Sequence, residues 1–219
     1  MMERLTSEQL KQEQEKTFAS PRMHYGFLAR PLFVTMDILY GRERTLSKFK
    51  VLEIVARVPY QAWENVAYIA ITHTYADPRL ARRIIDRVKE SRIQQDNEQW
   101  HLLMLEELRG KKQIHEGFIR YWLIPQVLAF IYYNISWLLY VIHPKWSYRL
   151  NVEFEDHAEH EYMQFVADNP DLESEPFASI FADDYGQFAS YADLFRQIGY
   201  DERLHKLESL DRIKAARFQ

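Results

Sequence analysis

The sequence predicts an all-α protein built around a four-helix bundle, with further apolar helices outside the bundle. Apolar residues recur with helical spacing over long stretches, whereas the strict alternation typical of strands is rare. Carboxylates interrupt the apolar face of four of these stretches, in an order that occurs twice along the chain. A bundle whose interior carries polar side chains accounts for both observations.

Six stretches with helical periodicity follow a polar beginning. Residues 1–22 are predicted to form a polar, loosely ordered N-terminal arm, and residues 23–219 a single helical domain. Gly41 and Gly110 mark the ends of the first and third stretches, and Pro59 is expected to kink or break the second. An acidic loop, DNPDLESEP, separates the last two. The predicted helices are 27–41, 50–75, 78–109, 119–142, 147–167 and 190–216.

The composition excludes several classes of function. The chain contains no cysteine, which removes disulfides, thiolate catalysis, iron–sulfur clusters and cysteine-based zinc sites. Its net charge is −4 and it has no basic stripe, so nucleic acid is not an expected partner. The beginning, MMERLTSEQLKQEQEK, resembles neither a signal peptide nor a transit peptide, which predicts a bacterial or already processed chain.

The stretch from Tyr121 to Ile142 carries no charged residue over 22 positions. A bilayer-spanning helix needs about 20 apolar residues, but polar residues inside the stretch oppose a span. The pattern favours a helix that lies in the membrane interface, with a buried core helix and a true span as the alternatives. Residues 27–41 are expected to extend the membrane-facing surface, next to a basic flank. That flank consists of Arg42, Arg44, Lys48 and Lys50.

Glutamates and histidines on these helices form a repeated pattern. Glu-x-x-His occurs twice, and each occurrence follows a helix whose apolar face is interrupted by a glutamate, 45 residues earlier in one half and 47 in the other. A four-helix bundle that holds two metal ions has this pattern. The six residues are Glu53, Glu98, His101, Glu155, Glu202 and His205.

The chemistry of these six side chains suits a pair of divalent ions. Residues three apart lie on one side of a helix, so one ion can bind both members of a Glu-x-x-His motif. The four glutamates carry −4, which two divalent ions neutralise. Oxygen-rich ligands with one imidazole per ion suit iron or manganese better than structural zinc. We therefore predict a ferritin-like bundle with a two-metal centre; the alternative is four glutamates that face solvent or are otherwise satisfied.

A second histidine-rich segment, FEDHAEHEY, invites a competing interpretation as another metal site. It contains His157, Glu159, His160 and Glu161. The two histidines lie beside the helix face that carries Glu155, not on it. We therefore predict that this side of the helix is charged and solvated.

At these residues the sequence resembles the alternative oxidase superfamily, most closely the plastid terminal oxidases and their bacterial relatives. LEIVARVPY is the most specific matching segment, and NEQWHLLMLEEL, FEDHAEHEYMQF and DERLH match three further segments of the family. The resemblance covers roughly residues 33–210, in order and with suitable spacing.

This resemblance implies an interfacial membrane enzyme that oxidises quinol (plastoquinol or ubiquinol) and reduces O₂ to water without pumping protons. The six residues would bind two iron ions bridged by carboxylates. Asn97 and Asp201 match positions that orient ligands through hydrogen bonds, and Tyr162 matches the redox-active tyrosine of the family. The resemblance further implies a homodimer on one membrane leaflet, as is usual in the family. That leaflet would face the cytoplasm of a bacterium, or the stroma or matrix of an organelle.

The quinol pocket implied by the resemblance departs from the family pattern. Leu52 and Ala158 match family positions, but Lys48 stands where the family usually has Arg and Glu161 where it usually has Thr. Lysine keeps the charge but loses the planar fork of a guanidinium, and Glu161 adds a charge beside an apolar pocket. We expect these changes to alter quinone identity or affinity and to leave the metal site intact.

Two other functions fit part of the pattern. One is a diiron hydroxylase of quinone biosynthesis, which shares the ligand set and a lipid substrate. The other is a non-catalytic metal-binding helical bundle. The ARVPY segment and Tyr162 favour the oxidase over both.

Overall fold

The computed structural model describes residues 4–215, which form nine α-helices. Within these residues strand structure is limited to one isolated bridge between Pro176 and Ser190, so the all-α prediction is confirmed. A π-helical turn, Ile119–Leu123, leads into α6, and a short 3₁₀ turn, Pro170–Glu173, follows α7. The helices are α1 (Ser7–Ala19), α2 (Ala29–Tyr40), α3 (Leu46–Ala56), α4 (Val58–Thr74), α5 (Pro78–Lys111), α6 (Ile124–Ile142), α7 (Pro144–Asp168), α8 (Ala182–Tyr185) and α9 (Tyr191–Lys214).

Helices α3, α5, α7 and α9 surround the centre of the molecule. The most extensive packing joins α7 to α9, and α3 packs against both α5 and α7. Burial of apolar side chains between these helices provides the main driving force for folding. The central part of the core includes Val55, Leu105, Phe154, Tyr162, Leu194 and Phe195.

The predicted helix 50–75 is broken, as expected, next to Pro59. Helix α3 ends at Ala56, and α4 begins at Val58 with Pro59 in its first turn, where a missing backbone N–H is tolerated. Each helix then takes its own direction. As a result α3 brings Glu53, and α4 brings Tyr60, to the interior of the bundle.

The N-terminal arm differs from its prediction, because residues Ser7–Ala19 form a helix. Thr6 caps it in a reciprocal capping box with Gln9. Leu10 is almost completely buried, and Gln14 donates a hydrogen bond to the backbone oxygen of Met163 on α7. The arm looks solvated in sequence because most of its side chains are polar, yet several of them pair with polar groups on α7 and α9.

Helix α6 lies on the outside of the bundle. Within residues 4–215, Ile119–Ile142 is the one helical segment long and apolar enough to cross a membrane, judged by length and composition alone. Only a small share of it is buried within the chain, which does not fit a core helix. The buried residues of α6 are Pro125, Tyr132, Ser136 and Tyr140.

The basic flank after α2 is mostly engaged in ion pairs, contrary to the expectation of a free cationic surface. Lys48 pairs with Asp37 at 2.6 Å, and Lys50 pairs with Glu116. Arg44 pairs with Asp168 at 3.0 Å. Three of the four cations that the sequence predicted for a lipid surface therefore form ion pairs within the protein.

Candidate metal centre

The four bundle helices bring all six predicted ligand side chains together in the interior. Each of the six is 0% exposed. Each Glu-x-x-His pair projects from one side of its helix, α5 or α9, because residues three apart share a face. Helices α3 and α7 contribute one glutamate each, Glu53 and Glu155.

The six side chains form two overlapping groups of four. Potential ligand atoms within each group lie within 4.8 Å of one another. Glu98 and Glu202 belong to both groups, as expected for carboxylates that bridge two ions. We call the two groups half-site A (Glu53, Glu98, His101 and Glu202) and half-site B (Glu98, Glu155, Glu202 and His205).

Both imidazoles turn the same ring nitrogen toward the carboxylates. Nδ1 of His101 lies 3.3 Å from Glu53 Oε2 and 3.2 Å from Glu202 Oε1. Nδ1 of His205 lies 2.6 Å from Glu98 Oε1. Nδ1 is therefore the atom that each histidine could offer to a metal ion.

The donor set fits a pair of divalent cations. Many of its inward-facing atoms lie close to one another but make no hydrogen bond of acceptable geometry among the described residues: Glu53 Oε2, both oxygens of Glu98 and Glu202, Glu155 Oε2, and Nδ1 of both histidines. Buried polar atoms are nearly always satisfied, and unpaired buried charges are costly. Four carboxylates and two imidazoles around one space match the oxygen-rich ligation typical of iron or manganese.

The electrostatics of the metal-free site point the same way. Burial raises the pKa of Glu53 to about 8 and that of Glu155 to about 7. Burial, with the charges of Glu98 and Glu155, raises the pKa of Glu202 well above its usual range. A site that must hold protons in the absence of cations releases them when metal binds.

Asp201, predicted to orient a ligand, is buried directly behind His101. Its Oδ2 lies 3.3 Å from Nε2 of His101 and accepts a hydrogen bond from Nδ2 of Asn97 at 3.0 Å. Burial alone would raise the pKa of Asp201, but the hydrogen bond and charge of His101 and the charge of Arg4 lower it. A carboxylate in this position fixes the imidazole ring and strengthens it as a ligand.

Half-site B lacks an equivalent carboxylate behind its histidine. Nε2 of His205 has no hydrogen-bond partner among residues 4–215. The Tyr60 ring packs against the imidazole in a T-shaped arrangement instead, with ring centroids 5.6 Å apart. The two half-sites therefore share Glu98 and Glu202 but differ in the groups that contact their histidines.

In each half-site a tyrosine donates a hydrogen bond to the glutamate that belongs to that half-site alone. Tyr162 donates a hydrogen bond to Oε1 of Glu53, and Tyr60 donates one to Oε1 of Glu155 at 2.6 Å. Sequence reasoning identified Tyr162 and missed Tyr60, although Tyr60 ends the LEIVARVPY segment. Tyr185, which donates to Asp201 at 2.9 Å, was also missed, because the short helix α8 that carries it has no recognisable motif.

Two of the residues expected to bind quinol lie in the interior of the protein. Leu52 and Ala158 are both buried in the main core. The ammonium of Lys48 is engaged within the chain: it pairs with Asp37 and donates a hydrogen bond to the backbone oxygen of Gly41 at 2.8 Å. Their assignment to a quinol pocket stays a prediction.

Glu161, which departs from the family pattern, has two arginine partners in the structure. It pairs with Arg22 at 2.7 Å and with Arg44 at 3.0 Å. Burial raises the pKa of Glu161, but His157 and the two arginines lower it by more. The added charge beside the expected pocket is thus neutralised within the chain.

The prediction of a solvated side for FEDHAEHEY is wrong. Asp156, Glu159 and His160 are buried. Lys206 pairs with Asp156 at 3.0 Å and with Glu159, and Arg203 pairs with Glu159 at 2.9 Å. Helix α1 covers this polar cluster, and the two cations on α9 already neutralise the acids.

Comparison with known proteins identifies the family of this chain. The chain matches the alternative oxidase family over residues 2–208. It is 33% identical, over 155 residues, to ubiquinol oxidase 4, chloroplastic/chromoplastic, of Arabidopsis thaliana. The match covers 70% of this chain and 41% of the relative, so the chain spans about two fifths of the length of that curated protein. Taken with the shared bundle and ligand pattern, the match over nearly the whole chain shows that this protein belongs to the alternative oxidase family.

Proposed function

We propose that this chain is a membrane-bound quinol oxidase, which oxidises a quinol and reduces O₂ to water at a carboxylate-bridged pair of iron ions without pumping protons. The observation that carries the proposal is the pair of overlapping half-sites that share Glu98 and Glu202. Membership of the alternative oxidase family and the name of the ubiquinol oxidase relative support the substrate class.

The residues of the chain divide the work of binding between them. Glu98 and Glu202 would bridge the two ions, with Glu53 and His101 completing half-site A. Glu155 and His205 would complete half-site B. When bound, two ferrous ions would supply two of the four electrons that reduction of O₂ to water requires.

The two buried tyrosines hold protons beside these ligands. Burial and nearby carboxylates raise the pKa of both Tyr162 and Tyr60 well above the usual value, so both phenols stay protonated. Their hydroxyls donate to Glu53 and Glu155, and Asn151 donates in turn to the Tyr60 oxygen at 3.0 Å. Protonated groups next to the site of O₂ reduction suit a reaction that consumes protons.

The membrane-facing surface would consist of residues 27–40, which include α2, and the segment 118–142. Both expose large apolar side chains, and the two elements are joined where Arg120 donates to the backbone oxygen of Leu39 at 2.6 Å. A continuous apolar face on one side of a charged protein suits binding to a single leaflet. The most exposed members are Phe27, Ile38, Phe118, Ile119, Trp122 and Phe130.

The proposal is tested by O₂ uptake with a short-chain quinol, with iron quantified on the same detergent-solubilised sample. About two irons per chain with quinol-dependent uptake support the oxidase. Hydroxylated quinone as the product supports the hydroxylase instead, and iron without turnover supports a metal-binding bundle. We expect Glu98→Ala to lose iron and activity while remaining helical; unchanged activity would contradict the assignment of Glu98 as a bridging ligand.

A further inference from the structure

The arginine that precedes helix α1 reaches into the support of half-site A. Nη1 of Arg4 lies 3.3 Å from Oδ2 of Asp201, the carboxylate behind His101. The guanidinium also lies over the ring of Tyr185, 4.1 Å from its centroid, and Nε donates to the backbone oxygen of the same residue. Arg4 thus contacts both the carboxylate and a second donor to that carboxylate.

The surroundings of Arg4 leave space for it in this position. Gly186 has a φ of +151°, and a Cβ there would lie 3.1 Å from both Cδ and Nε of Arg4. Such a separation is tighter than ordinary van der Waals contact, so a larger residue would press on the arginine. The loop after α8 therefore accommodates the guanidinium by keeping a glycine beside it.

Leu5, next to Arg4, supports the Oδ1 atom of Asp201 through Gln197. The backbone N–H of Leu5 donates to Oε1 of Gln197 at 3.1 Å, which orients the amide so that its Nε2 donates to Asp201 Oδ1 at 2.8 Å. Residues 4 and 5 therefore act on both carboxylate oxygens, one directly and the other through Gln197. The chain segment before α1 holds Asp201 from two sides.

Charge balance gives Arg4 a specific role. The four glutamates of the centre match the charge of two divalent ions, which leaves the charge of Asp201, directly behind His101, without a cation from the centre. Within residues 4–215, Arg4 is the one lysine or arginine that forms an ion pair with Asp201. Removing one partner of a buried charge pair leaves an uncompensated charge.

We infer that Arg4 is a positioning residue for half-site A, which holds the carboxylate of Asp201 against Nε2 of His101 and so aims Nδ1 at the metal. Outer groups of this kind typically change metal affinity by about 10- to 100-fold. Because His205 has no such carboxylate among the described residues, the effect is confined to half-site A. The inference rests on the two-metal centre proposed above.

The test is an anaerobic calorimetric titration of the metal-free full chain with Co²⁺. Wild type is expected to bind two ions, and Arg4→Ala to bind one of them about 10- to 100-fold more weakly while keeping the other. Arg4→Lys, which restores the charge, should recover part of the loss, and Arg4→Gln, which does not, should recover less. Lys11→Ala is the matched control, because Lys11 is an exposed cation on α1 that makes only a 3.8 Å ion pair with Glu173.

The outcomes separate failure of this inference from failure of the proposed function. No Co²⁺ binding by wild type would overturn the metal centre itself. Two ions bound equally well by wild type and Arg4→Ala would overturn the role of Arg4 alone. Equal weakening at both half-sites, with a lowered melting temperature and no recovery in Arg4→Lys, would show that Arg4 only stabilises the fold and would also overturn the inference.

Discussion

The phenol of Tyr162 on α7 donates a hydrogen bond to Oε1 of Glu53 on α3. Both side chains are completely buried, and Phe49 stacks on the tyrosine ring with centroids 4.3 Å apart. The contact spans the bundle and leaves the second carboxylate oxygen, Oε2, 3.3 Å from Nδ1 of His101. One glutamate therefore connects an oxidisable tyrosine with a candidate metal half-site.

Tyr162→Phe should separate catalysis from metal binding. The ring keeps its packing against Phe49, but the hydroxyl next to Glu53 is removed. We expect quinol-dependent O₂ uptake to fall by about 100-fold, the scale on which one positioned proton donor acts. Iron content should stay near that of wild type, because the phenol is not among the ligand atoms of either half-site.

Tyr132→Phe provides the matched control for this experiment. Tyr132 is also a buried tyrosine of the main core, and its hydroxyl has no hydrogen-bond partner among the described residues. Its loss should leave uptake within about twofold of wild type. If Tyr162→Phe behaves like Tyr132→Phe, then Tyr162 has a packing role and no part in turnover.

The candidate centre was predictable from sequence because its residues break a pattern. Glu98 and His101 occupy positions where the apolar periodicity calls for core side chains, and the helix geometry forces both toward the interior. The break between α3 and α4 was predictable for a similar reason, since Pro59 cannot continue a helix without loss of a backbone hydrogen bond.

Buried polar interfaces were not predictable in the same way. Thr17 on α1 donates to Glu159 on α7 at 2.8 Å, and Lys206 on α9 pairs with the same glutamate. In sequence each of these residues looks like part of a solvated face, because hydropathy does not distinguish water from a partner of opposite charge. The ion pair between Arg4 and Asp201 is still harder to predict from sequence, because the two residues are 197 positions apart.

Glu202→Gln tests whether a bridging position is electrostatically strained without metal. Burial and the charges of Glu98 and Glu155 raise the pKa of Glu202, which means that its ionised form is unfavourable in the folded apoprotein. A neutral isostere removes this penalty, so we expect the metal-free variant to melt at least about 2 °C higher at pH 7. It should also bind metal weakly at both half-sites, because Glu202 belongs to both.

Two comparisons make this result specific. Glu155→Gln should weaken half-site B and spare half-site A, since Glu155 belongs to one group only. Asp211→Asn, an exposed site on the same helix, should change neither melting temperature nor metal content. A lower melting temperature for metal-free Glu202→Gln would contradict the repulsion that we infer.

The membrane-facing surface can be tested by charge insertion. Phe130 and Ile38 are 70% and 76% exposed, on α6 and α2 respectively. We expect the double variant Phe130→Asp/Ile38→Asp to lose most of its binding to phospholipid vesicles in a flotation assay, because each change removes an apolar contact and adds a charge that lipid disfavours. Circular dichroism and iron content should not change.

Ile180→Asp is the control for the vesicle experiment. Ile180 is 79% exposed, as accessible as the two test positions, but it lies in the loop between α7 and α9. Vesicle binding by this variant should match wild type. Equal loss in the control and in the double variant would show that net charge, and not the apolar surface of α2 and α6, determines binding.

His157 should make the stability of the fold depend on pH. Its ring stacks on Phe33 with centroids 4.0 Å apart, and Nδ1 lies 3.4 Å from Nη1 of Arg22. Burial lowers its pKa to about 4; Arg22 and Lys48 also lower it, and Glu161 and Asp37 oppose them. In the unfolded chain the pKa of histidine is about 6.5.

The sign of the effect follows from proton linkage. Between about pH 6.5 and pH 4 the unfolded chain binds a proton at His157 that the folded chain does not, so the free energy of unfolding falls as pH falls through this window. His157→Phe keeps a ring against Phe33 and removes the titrating group. Denaturant unfolding of the metal-free protein at several pH values should therefore show a shallower pH dependence in the variant, by up to about 1.4 kcal/mol per pH unit. Identical slopes for variant and wild type would mean that His157 takes up its proton in the folded state, and that its contact with Arg22 does not keep the imidazole neutral.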